Sequence, residues 1–165
     1  MRAVVLSDTH VPRRARSLPD DLWRAIGEAD LVIHAGDWVD VALVEVVREQ
    51  APLLGVYGNN DGDAIRAVLP EVATGVYEGV RVAVVHETGQ AAGRERRMDT
   101  AFPDTDLLVF GHSHVPWDTT TPNGLRLLNP GSPTDRRRQP VGTWVEATFR
   151  DGAVDVAWRE VRPGT

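Results

Sequence analysis

The sequence predicts an α/β chain in which two β-sheets pack face to face with helices outside. Two observations carry that expectation. The first third alternates short apolar runs with helical patterns in the order β-α-β-α-β, which calls for parallel strands joined by crossover helices. The second half is mostly strand-like, with turn residues between its segments.

Residues 3–6 read as a buried strand. Residues 19–28 (PDDLWRAIGE) read as a helix opened by proline and two acids. Residues 31–33 form a second strand, 41–50 a second helix and 53–57 a third strand. Residues 72–77 and 80–85 flank the pair Glu78-Gly79, the signature of a hairpin. The basic stretch 93–99 holds one short helix, and 107–110 is another buried strand. Three or four further strands complete the chain, with turns at residues 121–124 (TPNG) and 150–152 (RDG). Residues 143–149 and 154–158 pair as a closing hairpin.

Composition narrows the function classes. The chain has 165 residues, read as one domain over 1–165, and 42% hydrophobic content, which argues against disorder. It has no cysteine, so a disulfide framework, an iron–sulfur cluster, a thiolate zinc site and a cysteine nucleophile are all excluded. A metal in this chain must be held by nitrogen and oxygen. No apolar run reaches the ~20 residues of a membrane span, and the N-terminus enters a strand pattern at once, so the expected location is cytoplasmic with no membrane partner. The net charge of -6 argues against long nucleic acid as a partner. Every one of the 18 basic residues is arginine, which reads as coding bias.

The ends of the apolar runs are the most informative feature. The runs lead into Ser7-Asp8-Thr9-His10, into His34-Ala35-Gly36-Asp37, into Gly58-Asn59-Asn60-Asp61, into His86, and into Gly111-His112-Ser113-His114. In α/β sheets, ligands bind in the crevice beyond the carboxyl ends of the strands, so these five ends can converge. Asp8 and His10 stand two apart and would point to one side of an extended chain, as would His112 and His114. Gly36, Gly58 and Gly111 allow sharp turns or close approach of backbone. The mixed imidazole, carboxylate and amide set suits Mn, Fe, Zn or Ni better than Ca.

The ordered set SDTH, GD, GNND, H, GHSH resembles the calcineurin-like metallophosphoesterase superfamily. With the short length and the NPGS of residues 129–132, it is most similar to the small bacterial and archaeal phosphodiesterases of that superfamily. The resemblance covers residues 4–132. It implies a four-layer αββα sandwich. It also implies two divalent metal ions, manganese being the leading candidate and Fe, Zn, Ni or Mg the alternatives. Asp8, His10 and His114 would bind one ion, Asn59, His86 and His112 the other, and Asp37 would bridge them. Two such ions clamp a phosphoryl group and lower the pKa of a water that attacks phosphorus in line. Asp37, Asn59, His86 and Asp61 are the residues expected to serve catalysis. The substrate would be a small phosphodiester or nucleotide. Oligomeric state is left open, a homo-oligomer included.

Two positions depart from the family pattern. Larger members often carry a histidine directly after the motif asparagine; this chain has Asn60, which cannot act as a general acid. That points to diesters or activated leaving groups. The second is Glu87, where the family commonly has glycine; it either faces solvent or touches the site. Asp61 could orient a neighbouring ligand, or simply serve the turn before Gly62. His34 reads as structural. Arg136, Arg137 and Arg138 read as a solvated run, with a grip on phosphate as the alternative, and Arg94, Arg96 and Arg97 likewise read as solvated. Trp38 and Trp117 read as packing residues, with stacking on a substrate ring as the alternative. The NPGS loop could bring backbone N–H groups to a phosphate. Two functions compete with the diesterase: a phosphomonoesterase or nucleotidase on the same site, and a non-enzymatic scaffold such as the retromer subunit of the same superfamily.

Overall fold

A computed structural model describes residues 1–161. Ten strands and four helices succeed one another as β1 (Arg2–Leu6), α1 (Asp20–Gly27), β2 (Leu31–His34), α2 (Val41–Gln50), β3 (Leu53–Gly55), α3 (Asp63–Arg66), β4 (Val72–Tyr77), β5 (Val80–Val85), α4 (Arg94–Ala101), β6 (Leu107–Val109), β7 (Trp117–Thr120), β8 (Arg126–Asn129), β9 (Gly142–Arg150) and β10 (Ala153–Val161). They build two mixed five-stranded sheets, ordered β10-β9-β1-β2-β3 and β4-β5-β6-β8-β7. β1, β2 and β3 run parallel, as do β5, β6 and β8, so the carboxyl ends within each set share one edge.

The layers arise from which residues are apolar on both faces. β1 and β2 bury nearly every residue because each is covered twice. Val5, Ile33 and Val145 of the first sheet meet Val82, Val84, Leu107 and Val109 of the second in an apolar seam between the sheets. On the outer face of the first sheet, Val4, Leu6 and Val32 pack against Leu22 and Ile26 of α1 and Val44 and Val47 of α2. These helix residues recur three and four apart, one turn of helix. On the outer face of the second sheet, Ala83, Val85, Leu108 and Leu127 pack against Met98 of α4.

Local signals hold the ends. Asp20 and Asp21 fill the first turn of α1, where the helix dipole favours negative charge. Asp40 caps α2, its carboxylate accepting the Ala42 N–H at 2.9 Å. The hairpin turns Glu78-Gly79 and Asp151-Gly152 have positive φ at both residues (48° and 83°, 52° and 77°), the geometry that suits strand twist. The sequence expectation omitted α3. Four residues are too few to show a helical period, and Gly62 in front of it carries no capping side chain.

Candidate metal centre

All five ligand-bearing segments lie just beyond strand ends. Asp8 and His10 come after β1, Asp37 after β2, Asn59 after β3, His86 after β5, and His112 and His114 after β6. The first sheet thus supplies four of the seven residues and the second supplies three.

The local backbone is not extended. Asp8, His10, Asp37, His112 and His114 all have left-handed φ, at 55°, 45°, 61°, 71° and 58°. The expectation that Asp8 and His10 share a side because a strand alternates therefore fails as a reason. They converge because the chain coils tightly there, pinned by Asp8 N–H to Gly36 O (2.9 Å) and His10 N–H to Asp37 O (3.0 Å). Non-glycine residues in this region cost about 1–3 kcal/mol each and concentrate at functional sites.

The close approach of these loops depends on two glycines. A Cβ on Gly58 would lie 2.2 Å from Asp37 Oδ1, and one on Gly111 would lie 1.9 Å from Ser7 Oγ. Neither position accepts a side chain without moving a candidate ligand loop.

Two clusters of donor atoms result. In the first, His114 Nε2 lies 3.3 Å from Asp8 Oδ1 and 3.2 Å from His10 Nε2, and all three residues are buried. In the second, Asn59 Oδ1 lies 2.9 Å from His86 Nε2 and 3.0 Å from His112 Nδ1. Between them, Asp37 Oδ2 is 3.5 Å from His10 Nε2 and 3.5 Å from His86 Nε2.

Hydrogen bonds behind the rings fix which nitrogen faces inward. His86 donates Nδ1–H to Ala35 O (2.7 Å) and His114 donates Nδ1–H to Asp135 O (2.5 Å), leaving each Nε2 aimed at the cluster. His86 Nε2 then meets Asn59 Oδ1, acceptor against acceptor, while His114 Nε2 accepts a hydrogen bond from His10 Nε2 when that ring carries its proton there. At His86, a proton or a cation on Nε2 resolves that clash. The donor set of imidazole, carboxylate and amide oxygen fits Mn, Fe, Zn or Ni. In the cation-free protein a proton fills the role at His86. Burial opposes its charge, but the hydrogen bond and charge of Asp37 and the charge of Asp8 prevail and push its pKa up to about 9. Burial likewise opposes the charge of Asp37, yet His86 and the two Asn60 donors hold its carboxyl below the usual carboxylate range.

The remaining sequence candidates take varied places. Asp61 is buried behind Asp37, and its carboxylate accepts three backbone N–H groups, from Gly58 (2.7 Å), Asp37 (3.0 Å) and Val39 (2.7 Å). Burial raises its pKa. His34 is fully buried, stacks on Trp38 at 3.5 Å, accepts the Gly36 N–H on Nδ1 and donates from Nε2 to Thr9 Oγ1. Burial drives its pKa well below the usual histidine value, so both nitrogens serve the fold as a neutral ring. Glu87 is exposed and stands 3.7 Å from His112 Nδ1. Arg136, Arg137 and Arg138 are exposed, Arg136 donating to Gln139 O. Arg94 is not solvated as the sequence suggested. It is buried, with its guanidinium between the rings of Phe110 (4.8 Å) and Trp117 (4.6 Å). Arg97 ties the preceding loop by donating to the carbonyls of Thr88, Gln90 and Ala92.

Sequence reasoning missed the supports. Asn60 donates to both oxygens of Asp37. Ser7 Oγ donates to Asp8 Oδ2 (2.7 Å) and Ser132 Oγ to Asp8 O (2.7 Å). The NPGS loop braces the site from behind, since its Gly131 N–H is spent on Asn129 Oδ1 (2.9 Å). The Asp135 carbonyl that orients His114 carries no sequence signal, because any residue could supply it.

Known proteins resemble this chain in sequence and in fold. The profile of the calcineurin-like phosphoesterase superfamily domain matches residues 1–152. A probable metallophosphoesterase of Methanothermobacter thermautotrophicus is 32% identical over 136 residues, covering 79% of this chain and 76% of the relative. A solution structure of a Thermotoga maritima protein superposes with a TM-score of 0.78 at 31% identity, covering 97% of this chain and 99% of that one. Vps29 of Entamoeba histolytica, in a crystal structure with Zn²⁺, shares the fold with a TM-score of 0.77 at 20% identity, over 97% and 99% of the two chains. With its motifs, its sandwich and these relatives in accord, the chain belongs to the calcineurin-like phosphoesterase superfamily.

Proposed function

We propose that the protein is a metal-dependent phosphodiesterase working on a pair of divalent cations. The observation that carries this reading is the position of Asp37 Oδ2, at 3.5 Å from an inward-facing nitrogen of each donor cluster. In this reading Asp8, His10 and His114 hold one cation, Asn59, His86 and His112 hold the other, and Asp37 is shared. Manganese leads the candidates on the family resemblance, and the mixed nitrogen and oxygen donor set admits Fe, Zn and Ni as well. When bound, the cations supply the charge that clamps a phosphoryl group and activates water.

The chain's own residues do the rest. Asp37 keeps two like-charged ions in one pocket. Asn60 holds both Asp37 oxygens, and Asp61 holds the backbone of Asp37 against that of Gly58, so Asp61 is a positioning residue. The hydrogen bonds from Nδ1 to Ala35 O and Asp135 O leave Nε2 of His86 and of His114 as the nitrogens that would face a cation, which at His86 would take the place of a proton.

One feature favours a diester. Asn60 has no proton to give a leaving alkoxide, and its amide is already committed to Asp37 at 2.7 Å. A cleft of about 420 Å³ opens beside Asn59 and His86, walled by Tyr57, Arg66, Glu71, Met98 and Phe102, with room for the organic substituent that a diester and a monoester both carry. The protein with added Mn²⁺ should hydrolyse a bis(aryl) phosphate faster than the aryl monophosphate. Background rates with Mn, Ni, Co, Zn and Mg alike would end the hydrolase reading. A preference for the monoester would end the diester reading alone.

A further inference from the structure

The two donor clusters differ in charge. Asp8 gives the first a carboxylate of its own beside its two histidines, while the second has two histidines and the neutral amide of Asn59. Glu87 removes the difference. It comes directly after His86, and its Oε1 lies 3.7 Å from His112 Nδ1. Donor atoms of His86, Glu87 and His112 all lie within 4.8 Å of one another, the same limit that contains Asp8, His10 and His114. Among the described residues, the only ion-pairing partner of Glu87 within 4.0 Å is His112.

We propose that Glu87 is a carboxylate ligand of the second cation, so that each cation has two imidazoles and one carboxylate to itself and shares Asp37. The inference rests on the two-cation reading above. An added hard oxygen donor also draws that position toward Mn²⁺ and away from cations that prefer nitrogen. Glu87 and His112 are both half exposed, with 52% and 50% of their side chains open to solvent. The ligand thus sits at the rim, where its removal leaves the core untouched.

Calorimetric titration of the cation-free protein with MnCl₂ tests this, with no substrate present. The wild type should bind two Mn²⁺ per chain. Glu87→Gln should weaken one of the two sites by at least about tenfold and leave the other unchanged, with the same thermal unfolding temperature before metal is added. Glu87→Asp, which keeps the charge but shortens the reach, should weaken the same site. Two sites of unchanged affinity in Glu87→Gln would overturn the proposal while leaving the two-cation reading intact. Full affinity in Glu87→Asp with loss in Glu87→Gln would reduce Glu87 to a distant charge and also overturn it. A wild type that binds fewer than two Mn²⁺ would overturn the two-cation reading itself.

Discussion

Asn60 grips Asp37 with two hydrogen bonds, its backbone N–H to Oδ1 at 2.8 Å and its side-chain amide to Oδ2 at 2.7 Å. The carboxylate that faces both histidine clusters is therefore oriented by its neighbour in a different loop. Replacing Asn60 by Ala removes one of these bonds and frees Oδ2 to rotate. Manganese affinity should fall by about 10–100-fold, as for other groups that orient a ligand, measured by titration against a chelator. Unchanged affinity would show that the backbone bond suffices.

Asp37→Ala removes the carboxylate between the clusters. Turnover of a bis(aryl) phosphate should vanish and the metal content should drop by at least one ion per chain, read by elemental analysis. Retained turnover would place the chemistry elsewhere.

Gly111→Ala tests the close packing of the loops. The new methyl carbon would start 1.9 Å from Ser7 Oγ and 2.8 Å from Asp8 Oδ2. Overpacking of this kind costs about 1–3 kcal/mol, so thermal unfolding should fall by roughly 2–12 °C. The loss of metal affinity should exceed the loss of stability, because Asp8 must move.

His34→Ala separates a structural histidine from a ligand. It strands the Gly36 N–H and the Thr9 hydroxyl, each buried, at about 1–3 kcal/mol apiece. The unfolding temperature should drop while the protein still binds its full complement of Mn²⁺. A loss of one ion would make His34 a ligand.

In the cation-free protein, burial opposes the charge of His86, but Asp37 and Asp8 push its pKa up to about 9. A pKa raised above the ordinary 6.5 adds stability that is fully present below 6.5 and is lost as pH rises through about 9. Asp37 works in the opposite sense. Its carboxyl is held below the ordinary 3.8, so its contribution is present above 3.8 and is lost as pH falls through the folded value. If His86 is a ligand as proposed, a cation displaces its proton, so Mn²⁺ affinity should climb with pH up to about 9 and then level off. Calorimetry in buffers of different ionisation enthalpy should show proton release at neutral pH. No release would mean that His86 is already neutral.

Much of the fold and the seven candidate ligands could be read from the sequence for one reason: apolar runs that end abruptly in Asp, Asn or His mark both a strand and its edge. The hairpins at Glu78-Gly79 and Asp151-Gly152 were legible because positive φ at both turn positions is a local demand. What escaped depends on partners far apart in the chain. Asn60 holds a carboxylate 23 positions away, and Ser132 holds a carbonyl 124 positions away. Arg94 looks like surface charge until Phe110 and Trp117 close over it. The left-handed turns at Asp8, His10 and His114 escaped because each follows an apolar run that reads as extended chain, although Asp and His visit that region more than most residues do.

The division of the seven residues between the sheets has a mechanical consequence. Four come from one sheet and three from the other, so ions seated among them would rivet the two halves of the sandwich at a single rim, where the apolar seam between the sheets ends at Ala35 and Val56. Ligand present at a thousandfold over its dissociation constant adds about 4 kcal/mol to a fold. Chelation would then loosen the molecule from that rim first, and heat resistance would track the supply of divalent cation.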